Sequence, residues 1–249
     1  MLNSLIERLP MLLLSLPIIL FSLSVHECCH GYAALKLGDP TARNLGRLTL
    51  NPIKHIDPIG FICMVLFHFG WANPVPINTR LFKNPRRDMA LSAAAGPLSN
   101  IALALVFGGL LRLALLAVNA FYTTQELISL YTRETSSVGF TVAALLICML
   151  YLGVIINFSY AVFNLLPIPP LDGSRIFYVF LKPKWYFAVM KYERIIMIAM
   201  LALLWIGILD IPLSWAVNGL EQLTFTVFGM NEQSSLTLMI IQGFVLSSL

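Results

Sequence analysis

With 249 residues, 58% of them hydrophobic and only 11% charged, the chain lies far from a soluble domain, in which about 25% of residues are charged. A mean hydropathy of +0.82 makes it an integral membrane protein, and a net charge of +4 gives no support to nucleic-acid binding. Its four cysteines form no disulfide framework, since Cys28 and Cys29 are neighbours and C-x-x-C is absent.

Residues 1–10 are a short lead with no basic n-region and no small-residue cleavage site, so the apolar run that follows is expected to stay in the protein. Residues 11–37 are long enough to cross a bilayer, for which about 20 residues are needed. Towards the C-terminal end of this first span stands His26-Glu27-Cys28-Cys29-His30, an H-E-x-x-H pattern. Residues four apart on a helix share a face. Two imidazoles stacked in this way can grip one Zn²⁺, and Glu27 beside them can accept a proton from water. In a soluble helix, two unconnected histidines and a stray carboxylate would be an ordinary alternative. At hydrocarbon depth, three ionisable residues within five positions are costly without a role. Gly38-Asp39-Pro40 is expected to end the helix.

Residues 39–57 are polar, and 41–50 alternate in part like a strand. Residues 58–72 are apolar but short for a crossing, and both flanks are basic, so a re-entrant segment is expected there. Pro74 and Pro76 keep 73–78 extended. A second span is predicted over 89–118, opening with Gly96-Pro97-Leu98-Ser99-Asn100, where small residues allow close helix approach. A polar loop over 119–137 and a third span over 138–163 follow. Pro167, Pro169 and Pro170 then break the helix ahead of Asp172. A short helix is expected over 174–182, a fourth span over 186–209 and a mixed tail from 210, with 236–249 spanning or lying in the interface. The fold class is thus all-α and membrane-embedded, with about four spans plus a re-entrant or β-like segment. Residues 1–182 would form the catalytic membrane core, and 183–249 a C-terminal helix and tail of the same membrane domain.

Orientation follows from Lys and Arg. Lys36, Arg43, Arg47 and Lys54 fall in 36–57. Arg80, Lys83, Arg86 and Arg87 fall in 73–88. Arg175, Lys182, Lys184, Lys191 and Arg194 fall in 173–194. Only Arg8, Arg112 and Arg133 of the 16 remain for the other side. The basic side is therefore expected in the cytoplasm, with the N-terminus outside. His26, His30 and Asp172 all fall towards the cytoplasmic side.

A catalytic zinc takes three protein ligands and leaves one position open. The candidates for the third are His55, His68, Asp39, Asp57, Asp88, Asp172 and Glu193. Asp172 is the carboxylate hardest to explain otherwise, because a proline-stiffened segment holds it at membrane depth. His55 and Asp57 fit a surface or capping role, and His68 fits a pore-lining, second-shell or simply buried histidine.

The pattern resembles the site-2 protease family of intramembrane zinc metalloproteases. The resemblance rests on His26-Glu27-x-x-His30, on Gly96-Pro97-x-x-Asn100 and on Asn164-x-x-Pro167-x-Pro169-x-Leu171-Asp172-Gly173, in that order. Gly46-Arg47-Leu48-Thr49-Leu50-Asn51-Pro52 and Gly70-Trp71-Ala72-Asn73-Pro74-Val75-Pro76 resemble the compact prokaryotic branch, with no room for an inserted PDZ domain and no long C-terminal regulatory domain. The similarity covers roughly 20–180. It implies one Zn²⁺ per chain on His26, His30 and Asp172, Glu27 as catalytic base, Asn164 holding substrate, and a transmembrane protein or peptide as the substrate. Asn100 is a candidate for holding the substrate backbone or the oxyanion, with helix–helix hydrogen bonding as the alternative. An extended substrate could pair by strand addition with an edge near 73–78 or 43–51.

Three other readings compete. A membrane zinc protease of the kind that cleaves prenylated peptides takes its third ligand from a glutamate on a later helix. Here Glu126, Glu134, Glu221 and Glu232 fall on the outer side, and Glu193 lies in a basic loop. A metal transporter or channel could use His26, His30 and Asp172 as a transit site, but it would need no base beside its ligands. An inactive homologue would not need the intact set of His26, Glu27, His30 and Asp172.

Overall fold

The protein is described by a computed structural model covering residues 2–67, 70–132, 138–182, 184–185, 189, 191–230 and 232–248. His68, Arg133 and Glu134 lie outside these described residues. Ten α-helices are described: α1 (Leu2–Lys36), α2 (Thr41–Asn44), α3 (Pro58–Phe67), α4 (Pro85–Phe121), α5 (Thr124–Thr132), α6 (Val138–Asn164), α7 (Asp172–Phe177), α8 (Glu193–Ile206), α9 (Asp210–Val227) and α10 (Glu232–Ser248). Among the described residues there is no strand, only an isolated bridge between Ile56 and Ala72.

Among the described residues, three helices are long and apolar enough to cross a membrane: Met11–Lys36 within α1, α4 and α6, with mean hydropathies of 1.8, 2.5 and 2.5. Only 22–33% of their most apolar stretches is buried within the protein. On α4, Val106, Leu110, Leu113 and Leu116 are all exposed. Such apolar belts are costly in water and matched by lipid tails. The chain is a multi-pass membrane protein.

Several expected elements come out differently. Of the fourth span expected over 186–209, residues 186–188 and 190 lie outside the described residues, and the described part holds α8, whose 14 residues reach about 21 Å. The strand-like stretch 41–50 begins instead with α2, and the polar loop expected over 119–137 holds α5. A reciprocal cap starts α5. The Thr123 amide and hydroxyl donate to Glu126 Oε2, at 2.7 and 2.8 Å, and the Glu126 amide donates back to Thr123 Oγ1. The mixed tail is two helices, α9 and α10. α4 starts four residues earlier than 89, with Pro85 at its first position and the Asn84 amide donating to Asp88 Oδ2 at 2.9 Å.

The chain divides into two compact units. One comprises Met1–Ile19, Ala102–Asn157 and Asn218–Leu249. Its core packs Leu111, Leu115, Phe140, Ile147, Leu238 and Ile241 together. Polar pairs tie its helices to one another. Arg112 donates to Ser234 Oγ at 2.9 Å, Thr237 to Asn119 Oδ1 at 2.8 Å and Tyr151 to Glu221 Oε1 at 3.0 Å. In lipid, where water offers no competing partner, such bonds hold helices together. The other unit comprises Leu20–Ile101 and Phe158–Val217, and it contains every residue singled out for chemistry.

Candidate active site

The H-E-x-x-H face of α1 meets α4 and the Asp172 turn. His26 Nε2 and His30 Nε2 are 2.9 Å apart, and Asp172 Oδ2 lies 3.2 Å from the first and 3.1 Å from the second. The imidazole rings are edge to face, with centroids 4.5 Å apart. Among the described residues, this is the one group of three His, Cys, Asp or Glu ligands close enough to share a metal ion. In a tetrahedral zinc site with bonds of about 2.0–2.2 Å, ligand atoms stand roughly 3.3–3.6 Å apart. The observed edges are within a few tenths of that.

Proton placement tests the fit further. His26 Nδ1 is 2.6 Å from Asn100 Oδ1, and His30 Nδ1 is 2.8 Å from the Ser92 carbonyl oxygen. The Ser92 carbonyl can only accept, and Asn100 presents its Oδ1, so in this arrangement each Nδ1 carries its hydrogen and donates. In the neutral rings both Nε2 atoms are then bare lone pairs, aimed with a carboxylate oxygen at one buried point. A single proton can bridge only two of the three at a time. A divalent cation satisfies all three at once, and the two-nitrogen, one-oxygen donor set suits zinc.

Asp172 reaches this point because its segment folds back on itself. A Cβ at Gly173 would stand 2.2–2.4 Å from backbone atoms of Leu165 and Leu166, so only glycine fits there. Gly96 serves the same end on α4, since a Cβ there would stand 2.4 Å from the His30 ring and 2.6 Å from the His26 ring.

Glu27 is buried, and its Oε2 accepts the Val75 amide hydrogen at 2.8 Å. Val75 belongs to the extended 73–78 stretch, which is pinned along its length. The Asn73 amide donates to the His55 carbonyl at 2.8 Å and the Asn78 amide to Asp39 Oδ2 at 2.6 Å. Arg47 Nη2 donates to the Asn73 and Pro74 carbonyls at 2.7 and 3.2 Å. This stretch is therefore a strap held to the rest of the protein at Asn73, Pro74, Val75 and Asn78. The role of Val75 left no mark in the sequence beyond the prolines on either side of it.

The other candidate ligands have work elsewhere. Asp39 also accepts from the Thr41 amide and hydroxyl, Asp57 accepts from the Gly60 amide at 2.8 Å, and Glu193 pairs with Arg175 at 3.2 Å. His55 is fully buried rather than on the surface, and its Nε2 donates to the Thr49 carbonyl at 2.8 Å. Asn164 is partly buried and donates to the Tyr160 carbonyl of its own helix at 3.0 Å. Asn100 is fully buried against His26.

An H-E-x-x-H helix whose two histidines converge with an aspartate, in a chain of membrane-length apolar helices, defines a membrane zinc metalloprotease. The sequence profile of Peptidase family M50 matches residues 15–207, and the chain belongs to that family, the site-2 proteases. It is 40% identical over 171 residues to a Bacillus subtilis (strain 168) protein named "Putative zinc metalloprotease YwhC", covering 69% of each chain. It is 29% identical over 160 residues to "Putative zinc metalloprotease Rip2" of Mycolicibacterium smegmatis, covering 62% of this chain and 52% of that one. No solved structure matches. The chain is a zinc metalloendopeptidase, and its cofactor is Zn²⁺.

Proposed function

We propose that the protein hydrolyses a peptide bond within or beside a transmembrane segment of a membrane protein, with the site opening towards the cytoplasm. The observation that carries this reading is the position of the cluster. His26 and His30 lie in the second half of Met11–Lys36, inside a span rather than on a soluble domain. The basic segments flanking the site support the cytoplasmic side.

His26, His30 and Asp172 would hold the zinc. When bound, the ion supplies Lewis acidity that brings the pKa of water towards ~7 and polarises the scissile carbonyl. Glu27 is the general base. With Oε2 held by the Val75 amide, its carboxylate keeps one orientation, and Oε1 takes the proton and passes it to the leaving amine. Asn164, on the segment that also carries Asp172, holds the substrate backbone. A helical peptide bond is shielded by its own hydrogen bonds, so the substrate must unwind before it is cut. A metal-transit role is disfavoured, because a transit site gains nothing from a carboxylate locked beside its ligands.

The test is zinc content and cleavage of a model membrane substrate by wild type, Glu27→Gln and Asp172→Ala. We expect Glu27→Gln to keep its zinc and lose about 10²–10⁴-fold in cleavage. Asp172→Ala should lose both zinc and cleavage. Wild-type cleavage by Glu27→Gln, or full zinc content in Asp172→Ala, would overturn these assignments.

A further inference from the structure

We propose that Asn100 is a positioning residue for His26, whose side-chain carbonyl holds the imidazole in the Nδ1–H form so that Nε2 always presents a lone pair to the metal. This rests on the zinc reading of the site.

The argument begins on α4. Ser92, Gly96 and Asn100 are four apart and share one face of that helix. Each meets the histidines in a different way. The Ser92 carbonyl accepts from His30 Nδ1 at 2.8 Å, and the Ser92 hydroxyl donates to the His30 carbonyl at 3.0 Å. Gly96 gives the two rings clearance. Asn100 Oδ1 accepts from His26 Nδ1 at 2.6 Å. One stripe of α4 therefore faces the Nδ1 atoms of both histidines.

The two supports differ in kind. Ser92 uses a backbone carbonyl, which can only accept, so His30 has no choice of tautomer. Asn100 uses a carboxamide, which could accept through oxygen or donate through nitrogen. If the amide donated, His26 Nδ1 would be the bare atom, and Nε2–H would point a hydrogen at the metal position. The oxygen-inward orientation is the one that leaves Nε2 able to bind a cation. Asn100 is also fully buried, and it touches the edge of the imidazole remote from Nε2. A group that holds a substrate backbone or an oxyanion must reach the reacting atoms, and this carboxamide lies behind the ligand instead. Partners of this kind on metal-bound histidines are worth about 10–100-fold in metal affinity.

Two variants separate the positioning role from a substrate-contacting one. Asn100→Leu keeps the volume and removes the acceptor, whereas Asn100→Asp keeps an acceptor and removes every donor. Zinc affinity is read by chelator competition on the purified full chain, without substrate. A positioning role predicts about a 10–100-fold loss in Asn100→Leu and near wild-type affinity in Asn100→Asp. Unchanged affinity in Asn100→Leu, or an equal loss in both variants, overturns the proposal. A second reading needs no variant at Asn100 to fold. In metal-free wild type labelled with ¹⁵N-histidine, and assigned by comparison with His26→Ala, His26 should show the Nδ1–H tautomer. An Nε2–H tautomer overturns the proposal. If wild type itself binds no zinc, the reading of the cluster fails before the role of Asn100 is at issue.

Discussion

Gly96 sets how closely α4 approaches the metal ligands. A methyl group there would fall 2.4 Å from the His30 ring and 2.6 Å from the His26 ring, well inside contact distance. Neither ring can swing away cheaply, because each is held at Nδ1 by a buried partner. Gly96→Ala should therefore cost about 1–3 kcal/mol of stability by overpacking, and should lower zinc affinity by at least roughly tenfold as the Nε2 atoms spread. Thermal unfolding in detergent and chelator competition read the two effects separately. A variant with wild-type affinity would show that the rings repack around the added methyl. At this scale the sequence was legible wherever the signal is local. The i, i+4 histidines announce a shared helix face, and Asp172 stands out as a carboxylate at membrane depth. The bonds from His26 to Asn100 and from Glu27 to Val75 span 74 and 48 residues, and no spacing rule links such positions. The Gly96-Pro97-x-x-Asn100 pattern was visible, but its function depends on which face of α4 meets the histidines.

Among the elements, the strap over 73–78 couples Glu27, the proposed base, to a residue outside any helix. Pro74 and Pro76 stiffen it and contribute no N–H, so Val75 is the donor left between them to meet Glu27. Arg47 clamps two successive carbonyls just ahead of Val75. Arg47→Ala should let the strap drift and Glu27 lose its orientation. Cleavage should fall by about tenfold, since small misplacements of a catalytic group are costly. Zinc content should hold, because Arg47 touches no ligand. Arg47→Lys should restore only part of the rate, as the shorter lysine side chain must place its ammonium where Nη2 now meets both carbonyls. A rate loss that tracks zinc loss would show that the clamp supports the ligands instead. The long helices were readable because 26 to 37 mostly apolar residues admit few other structures in lipid. Of the shorter ones, α7 was readable after its prolines, where a short helix was expected over 174–182. α5 depends on a cap spread over four residues, and α2 begins where the alternation of 41–50 suggested a strand.

For the molecule as a whole, the distribution of charge predicts which way the site faces. The three segments that carry most of the Lys and Arg all belong to the unit that holds the cluster, whereas α5, with Glu126 exposed, follows the C-terminal end of α4 in sequence. α4 is 37 residues long, about 56 Å, which is more than a bilayer's hydrocarbon thickness, so its two ends emerge on opposite sides. Arg86 and Arg87 at its start are exposed and belong to the basic side. Cationic flanks resist transfer across the membrane, so that end should remain in the cytoplasm. A single cysteine replacing Arg86 should react with a membrane-impermeant maleimide only after cells are broken open. One replacing Glu126 should react in intact cells. The same labelling of the unsubstituted chain sets the background from Cys28, Cys29, Cys63 and Cys148. The reverse pattern would place the zinc towards the outer face, and the substrate would then have to present its cleavage site from outside the cell.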